Sequence, residues 1–457
     1  MSSQPTFTDV LKNKAFRYLW INQLLLQLVY NTLNFALIIW VFKLTDSNFA
    51  VSALILSIYV PSFLFGFFAG VFVDMADRKK IILWIDFLLA LSMLIFLFVK
   101  NSYPLILLNT FFMSSLSQFF APAESSSIPM VVEKKQLLPA NSLFSLTLYG
   151  SVAVGYSMAG PILSFFGINA IFLIGFVCLF LAFLLSGNLP KIVASSNRRL
   201  ENFLLTVNLK KLIGVVLEET KDTLSFIRGR LNVVTSIILL SAVQGVIGIL
   251  AVVFSSYMER VLKIHATDAS YVLMLPLGLG MVLGALFLGK FGARIPKRAF
   301  VLPAITLIGV LFFLAGITPT LAQLIQAADL PLEIPKLRFF HAAPTLSTFF
   351  SLGAFIMGVC SVVIIISSQT ILQENTNQKI RGKVFATLFV TMNAFAAIPV
   401  LLTGALSDFF GVTPIFMSLG VIIFITGILA GKPAIFFAEH RLPFRIREFL
   451  GLGHWER

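Results

Sequence analysis

Charge is what this sequence has least of. Asp, Glu, Lys and Arg make up 12% of its 457 residues, while 58% are hydrophobic and the mean hydropathy is +0.95. A soluble domain carries about 25% charged residues, so this composition excludes an ordinary soluble fold and calls for lipid as solvent. Acids are scarcer than bases, 20 against 34, which leaves a net charge of +14. There are two cysteines, Cys178 and Cys360, both inside apolar runs. That excludes a disulfide framework and a cysteine metal site, and reads as two small buried apolar side chains. The four histidines, His265, His341, His440 and His454, fall in loops or the tail without clustering. No Gly-rich Lys-Ser/Thr phosphate loop is present. Neither an enzyme constellation nor ATP hydrolysis is therefore expected, and no cofactor. The opening "MSSQPTFTDVLKNK" is polar, and the apolar run after it is too long for a signal-peptide core, so no cleaved leader is expected.

What is there is a series of apolar runs. A spanning helix needs about 20 such residues. Twelve runs qualify: 17–42, 48–73, 81–99, 104–129, 137–165, 168–188, 232–257, 269–291, 299–318, 348–371, 384–407 and 412–431. Internal prolines such as Pro61 and Pro276 are compatible with spanning helices. Twelve spans put both termini on one side of the membrane. That side then holds 28 of the 34 Lys and Arg residues, and the other holds Lys43, Lys100, Arg260, Lys263, Lys336 and Arg338. Basic loops stay inside, so both termini are expected in the cytoplasm, at the plasma (inner) membrane.

The halves echo each other. Gly66 and Gly70 recur as Gly280 and Gly284, each pair followed by a basic turn (Arg78 to Lys80; Arg294, Lys297 and Arg298). "GPILSFFG" at 160–167 recurs as "GALSDFFG" at 404–411. The expected organisation is a six-helix half over 1–188, a cytoplasmic linker over 189–231, a second six-helix half over 232–432 and a basic tail over 433–457. Within the linker, 208–228 spaces apolar residues on one face and charges on the other, as an amphipathic helix on the membrane surface does. The segment 319–347 reads as a long outer loop. Duplicated halves are the layout of many secondary transporters.

The loop "GVFVDMADRKK" at 70–80 resembles the signature loop of the major facilitator superfamily, with Gly70, Asp74, Arg78 and Lys79 matching and Met75 and Asp77 departing. The resemblance covers nearly the whole chain. It implies an all-α membrane protein of twelve transmembrane helices in two six-helix pseudo-symmetric halves. Further stretches resemble the macrolide-efflux and enterobactin-exporter branch: "FFAPAESSSIPMVV" and "LLPANSL" within 119–143, "AGPILSFFG" at 159–167, and "SSQTILQENTNQKIRGKVFA" at 367–386. The Gly-Pro at 160–161 is similar to a drug-antiporter motif whose remaining glycines are missing. The resemblance also implies that helices 1, 4, 7 and 10 line a central cavity. It implies that Asp74 faces the start of helix 11 near Arg381, as a gate that opens and closes; helix capping and basic-loop orientation are the plainer roles for the same residues.

In helix 1 the spacing of Gln23, Gln27, Asn31 and Asn34 puts four amides on one face. Such a face contacts either substrate or other helices. Helix 4 adds Asn109, Ser114, Ser117, Gln118 and Glu124, helix 7 Ser241 and Gln244, and helix 10 Ser361, Ser367 and Gln369. Hydroxyls and amides without a buried Lys or Arg suit a bulky, largely apolar substrate. Two acids lie within spans, Glu124 and Asp86. A charge at mid-membrane costs roughly 2.5–3.5 kcal/mol on the insertion scale, a cost that a proton removes. Glu124 is the first candidate for proton coupling or cation binding, and Asp86 the second. A carboxylate reaching the inner interface, or paired with a basic loop residue, is the alternative for Glu124.

The expected function is proton-coupled export of a hydrophobic or amphiphilic small molecule. A lipid or lysolipid flippase and a non-transporting receptor or scaffold are the alternatives. The expected partners are the small-molecule substrate, protons and membrane lipids, not nucleic acid, with the chain acting as a monomer.

Overall fold

The computed structural model describes residues 7–133, 136–190, 231–261, 265, 267, 270–291, 297–327, 344–374 and 381–431. Those residues are helical almost throughout. A short helix α1 (Phe7–Leu11) precedes α2 (Lys14–Thr45), α3 (Asn48–Met75), α4 (Arg78–Val99), α5 (Tyr103–Val131), α6 (Leu137–Phe166) and α7 (Ile168–Gly187). There follow α8 (Leu231–Ser256), α9 (Leu275–Phe291), α10 (Lys297–Ala327), α11 (Pro344–Glu374), α12 (Arg381–Phe410) and α13 (Val412–Gly431). A π-helical turn, Tyr257–Val261, closes α8, and another, Ser270–Met274, leads into α9. Ten of these helices are long and apolar enough to cross a membrane, and Val272–Leu288 and Val412–Ile428 are shorter apolar helices. These ten and two match the twelve expected runs. In a bilayer only the helix satisfies every backbone group within its own segment, which is why apolar runs of this length fold this way.

Two boundaries move. Helix α10 runs on to Ala327 and α11 begins at Pro344, so the expected loop 319–347 opens and closes as helix. Its centre, 328–343, lies outside the described residues, as do the amphipathic stretch 208–228 and the tail 433–457.

Helix starts are set by capping side chains. Asn13 accepts from the backbone N–H groups of Ala15 and Phe16 at 3.0 and 3.3 Å, and donates to the Val131 carbonyl at 2.6 Å. One amide thus caps the start of α2 and satisfies an orphan carbonyl at the end of α5. Asp77, a departure from the signature-loop pattern, caps α4 by accepting from Lys79 N at 3.1 Å. The carbonyl of Lys100, beyond α4, accepts from Trp40 Nε1 at 2.8 Å.

The chain divides into two compact units, Met1–Asp46 with Ala53–Leu217, and Ser47–Ser52 with Glu218–Arg457. In the first, α2 packs on α6 and α7, and α4 packs on α5 and α7. In the second, α8 packs on α12 and α11, and α10 packs on α13 and α11. Helix α3 meets α5 through Ser114 Oγ, which donates to Ile58 O at 2.7 Å, and the counterpart helices six spans later, α9 and α11, also pack together. Three pairings recur six spans later, α2 on α6 as α8 on α12, α4 on α7 as α10 on α13, and α4 on α5 as α10 on α11, while α2 packs on α7 where α8 packs on α11. The repeat is sharpest at "GPILSFFG" and "GALSDFFG". Both end in a left-handed glycine, Gly167 at φ 74° and Gly411 at φ 79°, which turns one helix directly into the next. Phe165 and Phe409, at matching positions, are 81% and 86% exposed.

The glycine pair of helix 2 is a looser match. A Cβ at Gly280 would strike the Phe355 carbonyl, and one at Gly284 would lie 3.2 Å from Val359 Cα, so α9 and α11 pack backbone to backbone. A Cβ at Gly70 would meet nothing within 4 Å. The spacing recurs, but close packing within a unit explains only the second pair.

Candidate functional site

The described interior of the first unit gathers polar groups at two levels. Nearer the α4 start, Asn22 of α2 donates from Nδ2 to Asp86 Oδ2 of α4 at 2.6 Å and to the Ala182 carbonyl of α7 at 3.0 Å. Asn22 and Asp86 are fully buried. Ser186 of α7 also hydrogen-bonds to Asp86, and Glu124 of α5 lies within electrostatic reach of it. Glu124 is buried, and its Oε1, Asp86 Oδ1, Asn22 Oδ1 and Gln23 Oε1 have no hydrogen-bond partner among the described residues. The two acids singled out in the sequence are thus in one electrostatic neighbourhood. The Asn22 amide that orients Asp86 was not singled out.

The second level is built around Tyr30. Its hydroxyl donates to Ser114 Oγ at 3.5 Å and also interacts with the side chains of Asn34 and Ser117. Gln118 Nε2 donates to Ser114 O at 3.2 Å, and Ser117 Oγ to Met113 O at 3.0 Å. Tyr156 of α6 is within electrostatic reach of Tyr30 and stacks on Phe35 with ring centroids 5.1 Å apart. Asn31 is held differently. It is buried and donates to Gln27 O at 2.8 Å and Ser151 Oγ at 3.2 Å, and a Cβ at Gly155 would lie 2.8 Å from its own Cβ. Asn31 therefore fastens α2 to α6. Gln27 and Asn34 are half-buried, and Gln23 is buried. Asn109 donates to Ser92 O at 3.0 Å, tying α5 to α4. Tyr30 stands between Gln27 and Asn34 at i+3 and i+4, so the amide spacing pointed at it; Tyr156 had no comparable signal.

In the second unit Gln244 on α8 and Gln369 on α11 are half-buried, and Ser367 is buried. Ser241 and Ser368 bury hydroxyls with no partner among the described residues. A shallow groove of about 600 Å³ between α10 and α13 is lined by Leu302, Pro303, Thr306, Leu307, Val310, Gly427 and Ile428, and holds none of the polar groups named above.

Of the signature loop, Gly70 lies in α3, and Lys79 is half-buried at the start of α4. Arg78 Nη1 lies 2.6 Å from Met130 Sδ at the end of α5. The side chains of Asp74 and Arg381 lie outside the described residues, although Asp74 falls within α3 and Arg381 begins α12.

Two repeated helical units with hydroxyls, amides and carboxyls inside their spans are an arrangement that many secondary transporters share. The family model of the Major Facilitator Superfamily matches residues 19–328 and 237–441, and the chain belongs to that superfamily. It is 22% identical over 393 residues to the uncharacterized MFS-type transporter YfiS of Bacillus subtilis (strain 168), covering 85% of each chain. Its fold is similar to that of the nucleoside transporter NupG, with a TM-score of 0.65 at 13% identity, covering 93% of this chain and 100% of that one. A POT family transporter solved in complex with 5-aminolevulinic acid has a TM-score of 0.65 at 13% identity, covering 92% of this chain and 96% of that one.

Proposed function

We propose that the chain is a monomeric secondary active exporter of hydrophobic or amphiphilic small molecules, drug-like or siderophore-like, working by alternating access as a proton antiporter. The observation that carries this reading is the pair of buried acids, Asp86 and Glu124, one anchored by Asn22 and the other with Oε1 unpartnered. Carboxyls inside spans are expensive, and proton relays are one of the roles that justify them. Glu124 is the primary coupling acid in this reading and Asp86 the second. The tyrosine, hydroxyl and amide cluster around Tyr30 supplies hydrogen bonds without a fixed charge, which suits an amphiphilic substrate. Export, at the inner membrane with cytoplasmic termini, is supported by the basic-loop distribution and by the resemblance of 119–143, 159–167 and 367–386 to macrolide and enterobactin exporters.

The test is transport by the full chain in proteoliposomes under an imposed pH gradient, with macrolides, siderophores, dyes and lysolipids as the panel. Gradient-dependent movement of a macrolide, siderophore or dye that Glu124→Gln abolishes is the expected result. Movement that survives Glu124→Gln unchanged removes the coupling role. Movement of lysolipids alone replaces the exporter reading with a flippase.

A further inference from the structure

The seam where α4 meets α7 and the seam where α10 meets α13 hold matching places in the two units. Counted from the helix starts, Arg78 and Lys297, the residues Trp84 and Phe87 of α4 correspond to Pro303 and Thr306 of α10. Counted from Ile168 and Val412, Phe183 of α7 corresponds to Gly427 of α13. In the first unit, rings occupy these positions. Trp84 packs on Phe87 with ring centroids 6.0 Å apart, and Phe87 on Phe183 at 5.5 Å. In the second unit a proline, a threonine and a glycine stand in their place, and the groove of about 600 Å³ opens there. Its floor is a contact of backbones, since a Cβ at Gly427 would lie 2.9 Å from Thr306 N and 3.0 Å from Thr306 Cα.

The groove has an apolar body and a basic end. Thr306 Oγ1 donates to Leu302 O at 3.0 Å, so the hydroxyl in the lining is satisfied within its own helix. Leu307 and Ile428, one on each wall, are both well exposed. From Leu302 to Val310 the groove follows α10 for about 12 Å, most of the roughly 15 Å of hydrocarbon in one leaflet. Lys297 and Arg298 open α10 just before Leu302, Lys290 and Arg294 precede them in the sequence, and Lys432 follows α13. No Asp or Glu occurs from 269 to 328 to neutralise this charge. Arg298 precedes Leu302 by four residues, the spacing that continues one helical stripe. Basic pockets between spanning helices attract anionic headgroups. An open seam also forfeits the dispersion contacts that rings supply in the first unit, and a hydrocarbon chain laid into it restores them.

We propose that this groove is a binding site for one anionic phospholipid. An acyl chain lies along Pro303, Thr306 and Val310 against Gly427, and the phosphate meets Lys297 and Arg298. A zwitterionic lipid fills the seam equally well but leaves the bases unmatched, which is why the occupant is anionic. The site requires that the chain span a bilayer and is independent of the transported substrate.

The test offers the full chain, purified in mild detergent, equal amounts of dioleoyl phosphatidylglycerol and dioleoyl phosphatidylcholine, with retained lipid read by native mass spectrometry. Wild type is expected to hold one phosphatidylglycerol more tightly than any phosphatidylcholine. Lys297→Gln combined with Arg298→Gln is expected to weaken that retention about tenfold and to leave phosphatidylcholine unchanged. Pro303→Trp keeps every base and returns a ring to the seam, and is expected to expel the lipid. Lys79→Gln combined with Lys80→Gln removes charge at the start of α4, beside the ring-filled seam, and is expected to leave the tightly held lipid in place. Equal losses from the α4 and α10 bases mean a general attraction to basic residues and overturn the site. Phosphatidylglycerol retained by folded Pro303→Trp overturns it too, because the groove then plays no part. Should Pro303→Trp not fold, Thr306→Phe takes its place with the same two outcomes. Equal retention of the two lipids by wild type overturns the anionic assignment.

Discussion

Asn22 Nδ2 sits 2.6 Å from Asp86 Oδ2, and both residues are sealed from solvent. Removing one partner of such a contact leaves the other buried and short of a hydrogen bond. Asn22→Leu alone, or Asp86→Leu alone, is expected to cost about 1–3 kcal/mol. Replacing both with leucine is expected to cost less than the sum, with a coupling of roughly 0.5–3 kcal/mol. A double-mutant cycle on thermal unfolding in detergent measures this, and additive losses would show that the pair does not act as a unit.

The Tyr30 hydroxyl is the shared neighbour of Ser114, Asn34 and Ser117. Tyr30→Phe keeps the ring and removes one net hydrogen bond, worth about 1 kcal/mol. If the cluster contacts substrate, the expected result is a rise of about fivefold in KM for a transported dye with the fold intact. If it only holds α2 to α5, unfolding temperature falls and KM stays. Paired KM and unfolding measurements separate the two.

The helical architecture was legible because apolar runs long enough to span a bilayer have one common solution, and the basic residues separate the loops into two sets. The site was legible in part. Asn34 and Ser117, singled out on two different helices, meet at the Tyr30 hydroxyl. Asn22 was missed because a single amide beside Gln23 carries no periodic signal, and its role depends on α4 and α7 reaching it.

Helices α10 and α13 touch through four glycines whose contacts run in antiparallel register. Gly309 meets Phe424, Gly316 meets Met417, Gly420 meets Phe313, and Gly427 meets Thr306. A side chain at any of them must push the backbones apart. Gly316→Leu and Gly427→Leu are each expected to cost about 1–3 kcal/mol through overpacking. The loss is read as lower yield of folded protein and a lower unfolding temperature. Gly70→Ala serves as the control, because a Cβ there meets nothing within 4 Å.

Gly167 and Gly411 test the repeat itself. Each joins two helices with a positive φ, 74° and 79°, and at each an added Cβ would meet open space. Substitution therefore changes backbone strain alone, with no packing clash to confuse the result. An L-residue held at such a positive φ costs about 1–3 kcal/mol. Gly167→Ala and Gly411→Ala are expected to lower stability by similar amounts in that range, measured by thermal unfolding in detergent. Similar losses mean that the two turns are energetic equivalents as well as sequence echoes. A loss at only one of them means that the matching glycines are held by different surroundings, and that the repeat at this corner is one of sequence rather than of energetics.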